Sequence, residues 1–331
     1  MLTRAAAVCI TIVLLLGVAA GAMAQTELFS SAHLFSLPMS TTTRLYGMGG
    51  FISCVQDRGF ANPAFAGLVE EIDVVGRYSV TGFDNGLDLR GGQFSVTVPL
   101  KPGTRGLQLT GFSLSADPGV LALPGAPPAQ VDFSETDLAI HYGQRVGNRY
   151  LVGVGFSPLF NTSATLTEPI GGTPLMELDA SVDKGVRLGF LAELKEGCLL
   201  GVVYDRYDED VTGQFLGMPV DESFSSEVYI AGLSYRLDRR CLAAVEWQDV
   251  STKRGGISYG DAGMRLGMEC AVSRGVALRS GYNDGAWSFG AGFSNDAWSV
   301  QYAYVNDLNA DAVGPFFGDS ETHQFELTHR W

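Results

Sequence analysis

From residue 72 to the end of the chain, apolar residues recur at every second position. Phe94, Val96, Val98 and Leu100 alternate with Gln93, Ser95 and Thr97, and Met264, Leu266, Met268, Cys270 and Val272 alternate with Arg265, Gly267, Glu269 and Ser273. Trp298, Val300, Tyr302 and Tyr304 do the same against Ser299 and Gln301. A period of two belongs to an extended strand, whose successive side chains point to opposite faces. The pattern predicts fourteen strands, at residues 71–84, 87–100, 104–116, 130–145, 149–163, 178–195, 198–211, 223–238, 241–252, 261–273, 276–283, 285–294, 297–306 and 321–331. Most reach the roughly 9 to 11 residues that a tilted strand needs to cross a bilayer.

The connections support this reading. Those after even-numbered strands are short: Lys101-Pro102-Gly103, Val146-Gly147-Asn148, Lys195-Glu196-Gly197, Leu237 to Arg240, Ser273-Arg274-Gly275 and Ser294-Asn295-Asp296. Those after odd-numbered strands include the longer stretches 116–130, 161–179, 211–222, 251–260 and 307–320, with only 84–86 and 283–285 tight. Bacterial membrane barrels alternate short periplasmic turns with longer outer loops in this way.

Composition agrees. The chain has 42 Gly, 12 Tyr and 19 Phe with only 18% charged residues, and no long apolar run follows residue 24. These facts are reconciled if one face of each strand meets lipid and the other a polar interior, giving an all-β, transmembrane antiparallel β-barrel in a bacterial outer membrane, residues 71–331. The last strand alternates His323, Phe325, Leu327, His329 and Trp331 against Gln324, Glu326, Thr328 and Arg330. A terminal aromatic on such a strand resembles the signal read by the barrel-assembly machinery, which is thus an expected partner beside outer-membrane lipid. His329 departs from the usual apolar residue. A net charge of −14 argues against nucleic-acid binding.

Residues 1–24 read as a signal peptide: Arg4 gives the positive start, Ala5 to Ala20 the apolar run and Ala22-Met23-Ala24 the cleavage site. Residues 25–70 do not alternate and read as a compact irregular segment. Glycines at 47, 49 and 50 let backbone pack closely, while Pro63 fixes φ and Asn62 ties its side chain to nearby backbone.

Gly47-Met48-Gly49-Gly50, then Asp57, then Asn62-Pro63-Ala64-Phe65-Ala66-Gly67-Leu68 resemble the start of FadL-type outer-membrane transporters, a superfamily that includes PorV-like barrels. The stretches 265–269, 277–282 and 301–305 resemble the same group's closing strands. The resemblance implies fourteen strands and an N-terminal segment folded into the lumen as a hatch, formed by Gly47, Gly49, Gly50, Asn62, Pro63 and Ala64. Phe65-Ala66 interrupt the usual form of the motif.

Chemistry is sparse. Gly256-Ile257-Ser258-Tyr259-Gly260 has the G-x-S-x-G spacing but lies between two strands, where no helix follows, so no catalytic residue is expected. His33, His141, His323 and His329 are too scattered for a metal, and no cofactor motif is present. Cys241 and Cys270 form the only adjacent-strand pair, yet both fall on the lipid face, which favours free thiols. Glu246, Arg265, Glu269, Arg279, Glu326 and Arg330 face the lumen as a wall-bracing charge network, with Glu269 and Arg279 placed opposite one another by a turn centred on Arg274. Leu121, Leu123, Phe215, Met218, Phe316 and Phe317 put apolar side chains in the outer loops, where they could collect a ligand.

The FadL resemblance implies passive, non-enzymatic uptake of hydrophobic small molecules such as long-chain fatty acids. The PorV resemblance implies instead an interaction barrel that engages exported proteins.

Overall fold

The computed structural model describes residues 42–57, 61–84, 86–116, 119–121, 129–167, 172, 174–215, 217–254, 257–283, 285–306 and 319–331. The expected signal peptide at 1–24 lies outside them. The strands are β1 (Asp73–Phe83), β2 (Asp88–Lys101), β3 (Arg105–Ala116), β4 (Gly119–Leu121), β5 (Ala129–Val146), β6 (Tyr150–Thr167), β7 (Pro174–Lys195), β8 (Cys198–Phe215), β9 (Met218–Arg236), β10 (Cys241–Arg254), β11 (Ile257–Ser273), β12 (Val276–Asn283), β13 (Ala286–Ser294), β14 (Trp298–Asn306) and β15 (Ser320–Arg330). Each pairs antiparallel with its sequence neighbour, except that the short β4 sits on the outer end of β5 and lets β3 pair with β5 directly. β15 returns to β1, with Tyr78 opposite Phe325, and closes a barrel of fourteen strands. Among the described residues closure gives each of the fourteen wall strands a partner on both sides, the condition for crossing hydrocarbon with strands.

The alternation read from the sequence is the alternation of the wall. On β2, Gln93, Ser95 and Thr97 are buried inside while Phe94 is 51% exposed on the outside. Aromatic side chains mark both margins of the outer apolar surface. Tyr204 and Tyr229 meet at 5.0 Å and Tyr282 and Trp287 at 5.2 Å toward the outer end. Toward the other end His329 stacks on Trp298 at 4.1 Å and meets Trp331 at 4.2 Å. His329 thereby extends an aromatic girdle of the kind that lies at headgroup level.

Two expectations are corrected. Residues 211–222 and 251–260 are not open loops: β8 runs to Phe215 and β9 starts at Met218, while β10 runs to Arg254 and β11 starts at Ile257. Here the outward face turns polar, with Arg206, Asp208 and Asp210 on β8, because the hairpins rise beyond the lipid. Loss of outward hydrophobicity reads as loop in the sequence although pairing continues. Cys241 and Cys270 are not free thiols but form a disulfide, since the β10–β11 register sets them directly opposite with Cα atoms 4.2 Å apart.

Candidate functional site: the lumen and its N-terminal segment

Residues 42–57 and 61–68 lie inside the barrel. Thr42 caps the short helix Thr43–Tyr46 by accepting from the Leu45 N–H. The chain then turns back through Gly49 and Gly50, at φ 109° and 78°, conformations that a side chain would oppose. Asn62 opens the 3-10 turn Pro63–Leu68, its Oδ1 accepting from the Ala64 N–H at 3.0 Å. Its Nδ2 donates to the carbonyls of Ser53 at 2.8 Å and Phe190 at 3.4 Å, tying both halves of the segment to the wall.

The segment fits because the wall opposite it carries glycine. Gly106, Gly143, Gly153 and Gly189 pair with one another in register across β3, β5, β6 and β7, and Gly201 pairs with Gly232, and Gly267 with Gly281. A Cβ on Gly143 or Gly153 would run into the backbone of Pro63, one on Gly201 into Ser53, and one on Gly267 or Gly281 into Met48. These glycines form a belt without side chains against which backbone lies on backbone.

Three wall carboxylates hold the segment. Glu246 Oε2 accepts from the backbone nitrogens of Ile52 at 3.1 Å and Ser53 at 2.6 Å, and from Ser53 Oγ at 2.5 Å, while Arg265 pairs with its Oε1 at 2.7 Å. Glu326 accepts from the Thr43 N–H at 2.9 Å and pairs with Arg77 at 3.2 Å. Glu269 receives Arg44 in a two-pronged contact, Nε and Nη2 each at 2.7 Å, and Arg279 Nε at 2.5 Å. Glu269 and Arg279 stand opposite on β11 and β12, and Arg44 joins that pair to the segment. Each buried carboxylate thus has a wall arginine and a donor from the segment, the arrangement under which buried charge is tolerated. Cys54 is buried in the same packing.

Outward of this layer the lumen face of β7–β10 carries two apolar clusters. Ile52 and Ala61 pack with Val203, Tyr207, Val228, Ile230 and Val250. Nearer the outer end Leu178, Ala180, Val211, Phe215 and Phe224 form a second cluster. Asp205 and Glu209 interrupt the series on β8, and Asp205 is engaged by Arg187, which also donates to the Ala61 carbonyl at 3.4 Å.

Of the loop residues, Phe215 is buried in the outer cluster and Met218 is 48% exposed at the tip of the β8–β9 hairpin. Leu121 ends β4, while Leu123, Phe316 and Phe317 fall outside the described residues. Ser258 lies exposed in strand β11, opposite Lys253, without the turn and helix that a nucleophile of that motif requires. Among the described residues no group of three or more potential ligands could hold a metal ion.

Sequence reasoning missed Arg44, Ser53 and the socket role of Glu246, Glu269 and Glu326. One signal was available: between residues 25 and 56 the charged side chains are Glu27 and Arg44 alone, and a lone Arg in an apolar Gly-rich stretch calls for a buried carboxylate.

The sequence matches no family model and no curated protein. Solved structures share the architecture. The toluene transporter TbuX of Ralstonia pickettii is 12% identical with TM-score 0.63, over 90% of this chain and 100% of that one. The toluene transporter TodX of Pseudomonas putida is 13% identical with TM-score 0.58, over 87% and 96%. A Pseudomonas aeruginosa FadL homologue is 13% identical with TM-score 0.51, over 82% and 93%. This chain is an outer-membrane β-barrel with the fold of the FadL-type transporters, as its motifs at both ends suggest.

Proposed function

We propose that the protein is a passive outer-membrane channel for small apolar molecules, with residues 42–68 acting as its hatch. The observation that carries this reading is the inward-facing apolar series on β7–β10, from Phe215 and Phe224 near the outer hairpins to Ile52 in the N-terminal segment. A water-filled diffusion pore keeps its lumen polar. Part of the lumen charge, which would oppose an apolar ligand, is taken up in the sockets that the segment occupies, and Asp205 is paired with Arg187. The shared fold with TbuX and TodX supports monoaromatic hydrocarbons as ligands, and the FadL-type architecture supports long-chain fatty acids. In this reading the outer-loop residues Leu121, Leu123, Met218, Phe316 and Phe317 gather ligand and pass it to Phe215.

The test is initial uptake of radiolabelled toluene and oleate, with a sugar as polar control, by cells whose lipopolysaccharide layer is intact. Cells carrying the protein should take up at least one apolar compound faster than cells with empty vector, with sugar uptake unchanged. Phe215→Glu/Phe224→Glu, at equal folded surface amount, should abolish the gain. Vector-level uptake of both compounds by the wild-type protein ends the uptake reading, and an interaction barrel for exported proteins then becomes the better one.

A further inference from the structure

The chain is acidic, yet one arc of its inner rim is rich in exposed cations. Three neighbouring short turns, β7–β8, β9–β10 and β11–β12, carry Lys195, then Arg236, Arg239 and Arg240, then Arg274, all exposed. The turns are bound together: the Arg236 N–H donates to the Gly197 carbonyl at 2.8 Å and the Ala271 N–H to the Arg240 carbonyl at 2.9 Å, beside the Cys241–Cys270 disulfide. Of the nearby acids, the exposed Asp238 is tied to the backbone of its own turn. Its Oδ1 accepts from the Arg240 and Cys241 N–H groups at 2.6 and 2.7 Å, and those bonds hold its carboxyl below the usual range. Glu193 and Glu196 remain.

Two exposed apolar side chains lie among these cations. Leu237, between Arg236 and Arg239, is 55% exposed, and Lys195 lies over the outward Tyr235 ring at 4.5 Å. An exposed Leu next to Arg236 at the base of a polar turn, with Lys195 over an outward aromatic nearby, matches the border between hydrocarbon and headgroups.

We infer that this arc binds anionic phospholipid headgroups in the inner leaflet of the outer membrane, the arginines taking the phosphate and Leu237 the acyl chains. Guanidinium suits the phosphate because it donates two parallel hydrogen bonds. Cations near an anionic leaflet each contribute on the order of a fivefold preference at low salt.

The test uses the whole folded protein in detergent micelles, titrated with phosphatidylglycerol or phosphatidylcholine and read by native mass spectrometry. Phosphatidylglycerol should bind at a concentration about tenfold lower, and the gap should narrow as salt screens it. Arg236→Gln/Arg239→Gln/Arg240→Gln should lose most of that preference, whereas Arg145→Gln/Arg149→Gln, on the β5–β6 turn, should keep it. A heat-modifiable gel shift checks that both variants remain folded. Equal binding of the two lipids by the wild-type protein, or an undiminished preference in the triple variant, overturns the inference. Capture of an acidic periplasmic protein with no lipid preference does so too.

Discussion

Glu246 Oε2 lies 2.6 Å from the backbone nitrogen of Ser53, a residue 193 positions earlier in the chain. The bond joins the wall of the barrel to the segment inside it and sets what removal of the carboxylate should do. Glu246→Gln keeps the shape but leaves Arg265 buried without its counter-ion. Loss of one partner of a buried pair costs on the order of 3–5 kcal/mol. Hydrogen exchange at the Ile52 and Ser53 amides should accelerate at least tenfold while exchange in β1 and β15 stays slow. Unchanged exchange would mean that the segment is held elsewhere.

Gly153 and Gly92 differ in what they face. A Cβ at Gly153 meets the Pro63 backbone, whereas one at Gly92 meets nothing within 4 Å. Gly153→Ala should lower the thermal unfolding midpoint by an amount equivalent to roughly 1–3 kcal/mol, as overpacking does. Gly92→Ala should stay within about 0.5 kcal/mol of wild type. Equal effects at the two sites would show that the glycine belt does not seat the segment.

Asn62 both accepts and donates, so its two polar atoms can be tested apart. Asn62→Asp keeps the acceptor for the Ala64 N–H but removes the donor to the Ser53 and Phe190 carbonyls and places charge in a buried position. It should destabilise the segment more than Asn62→Ala, by limited proteolysis of residues 42–68. The opposite ranking would assign Asn62 a capping role only.

Of the five cysteines, the four after the expected signal peptide, Cys54, Cys198, Cys241 and Cys270, should divide into one disulfide and two buried thiols. Alkylation of the folded protein should label none of the four. Denaturation without reductant should expose two and denaturation with reductant four. Four labels without reductant would restore the free-thiol reading of Cys241 and Cys270.

The barrel was legible because its signal repeats: alternation from Gln93 to Leu100 and from Met264 to Val272 fixes the faces, and turns such as Lys101-Pro102-Gly103 fix the ends. The outer hairpins were not, since Arg206, Asp208 and Asp210 lose the outward hydrophobicity on which strand recognition rests, although pairing continues through them. The Cys241–Cys270 bond depends on exact register, which a lipid-facing alternation does not reveal. The placement of the N-terminal segment was suggested by Asn62-Pro63-Ala64, but its anchoring was hidden. Glu246 binds backbone N–H groups, which every residue but proline carries, and Arg44 reaches Glu269 across 225 positions. Gly143, Gly153 and Gly189, inside strands, were the readable trace of that close approach.

Single-barrel conductance in a planar bilayer tests the central claim, that residues 42–57 and 61–68 seal the lumen and that Glu246, Glu269 and Glu326 are the sockets that hold them. The wild-type protein should show no steady ion current of porin size, and Glu246→Gln/Glu326→Gln, folded by gel shift, should open lasting conductance steps. A wild-type protein that conducts as freely as that variant would contradict the account.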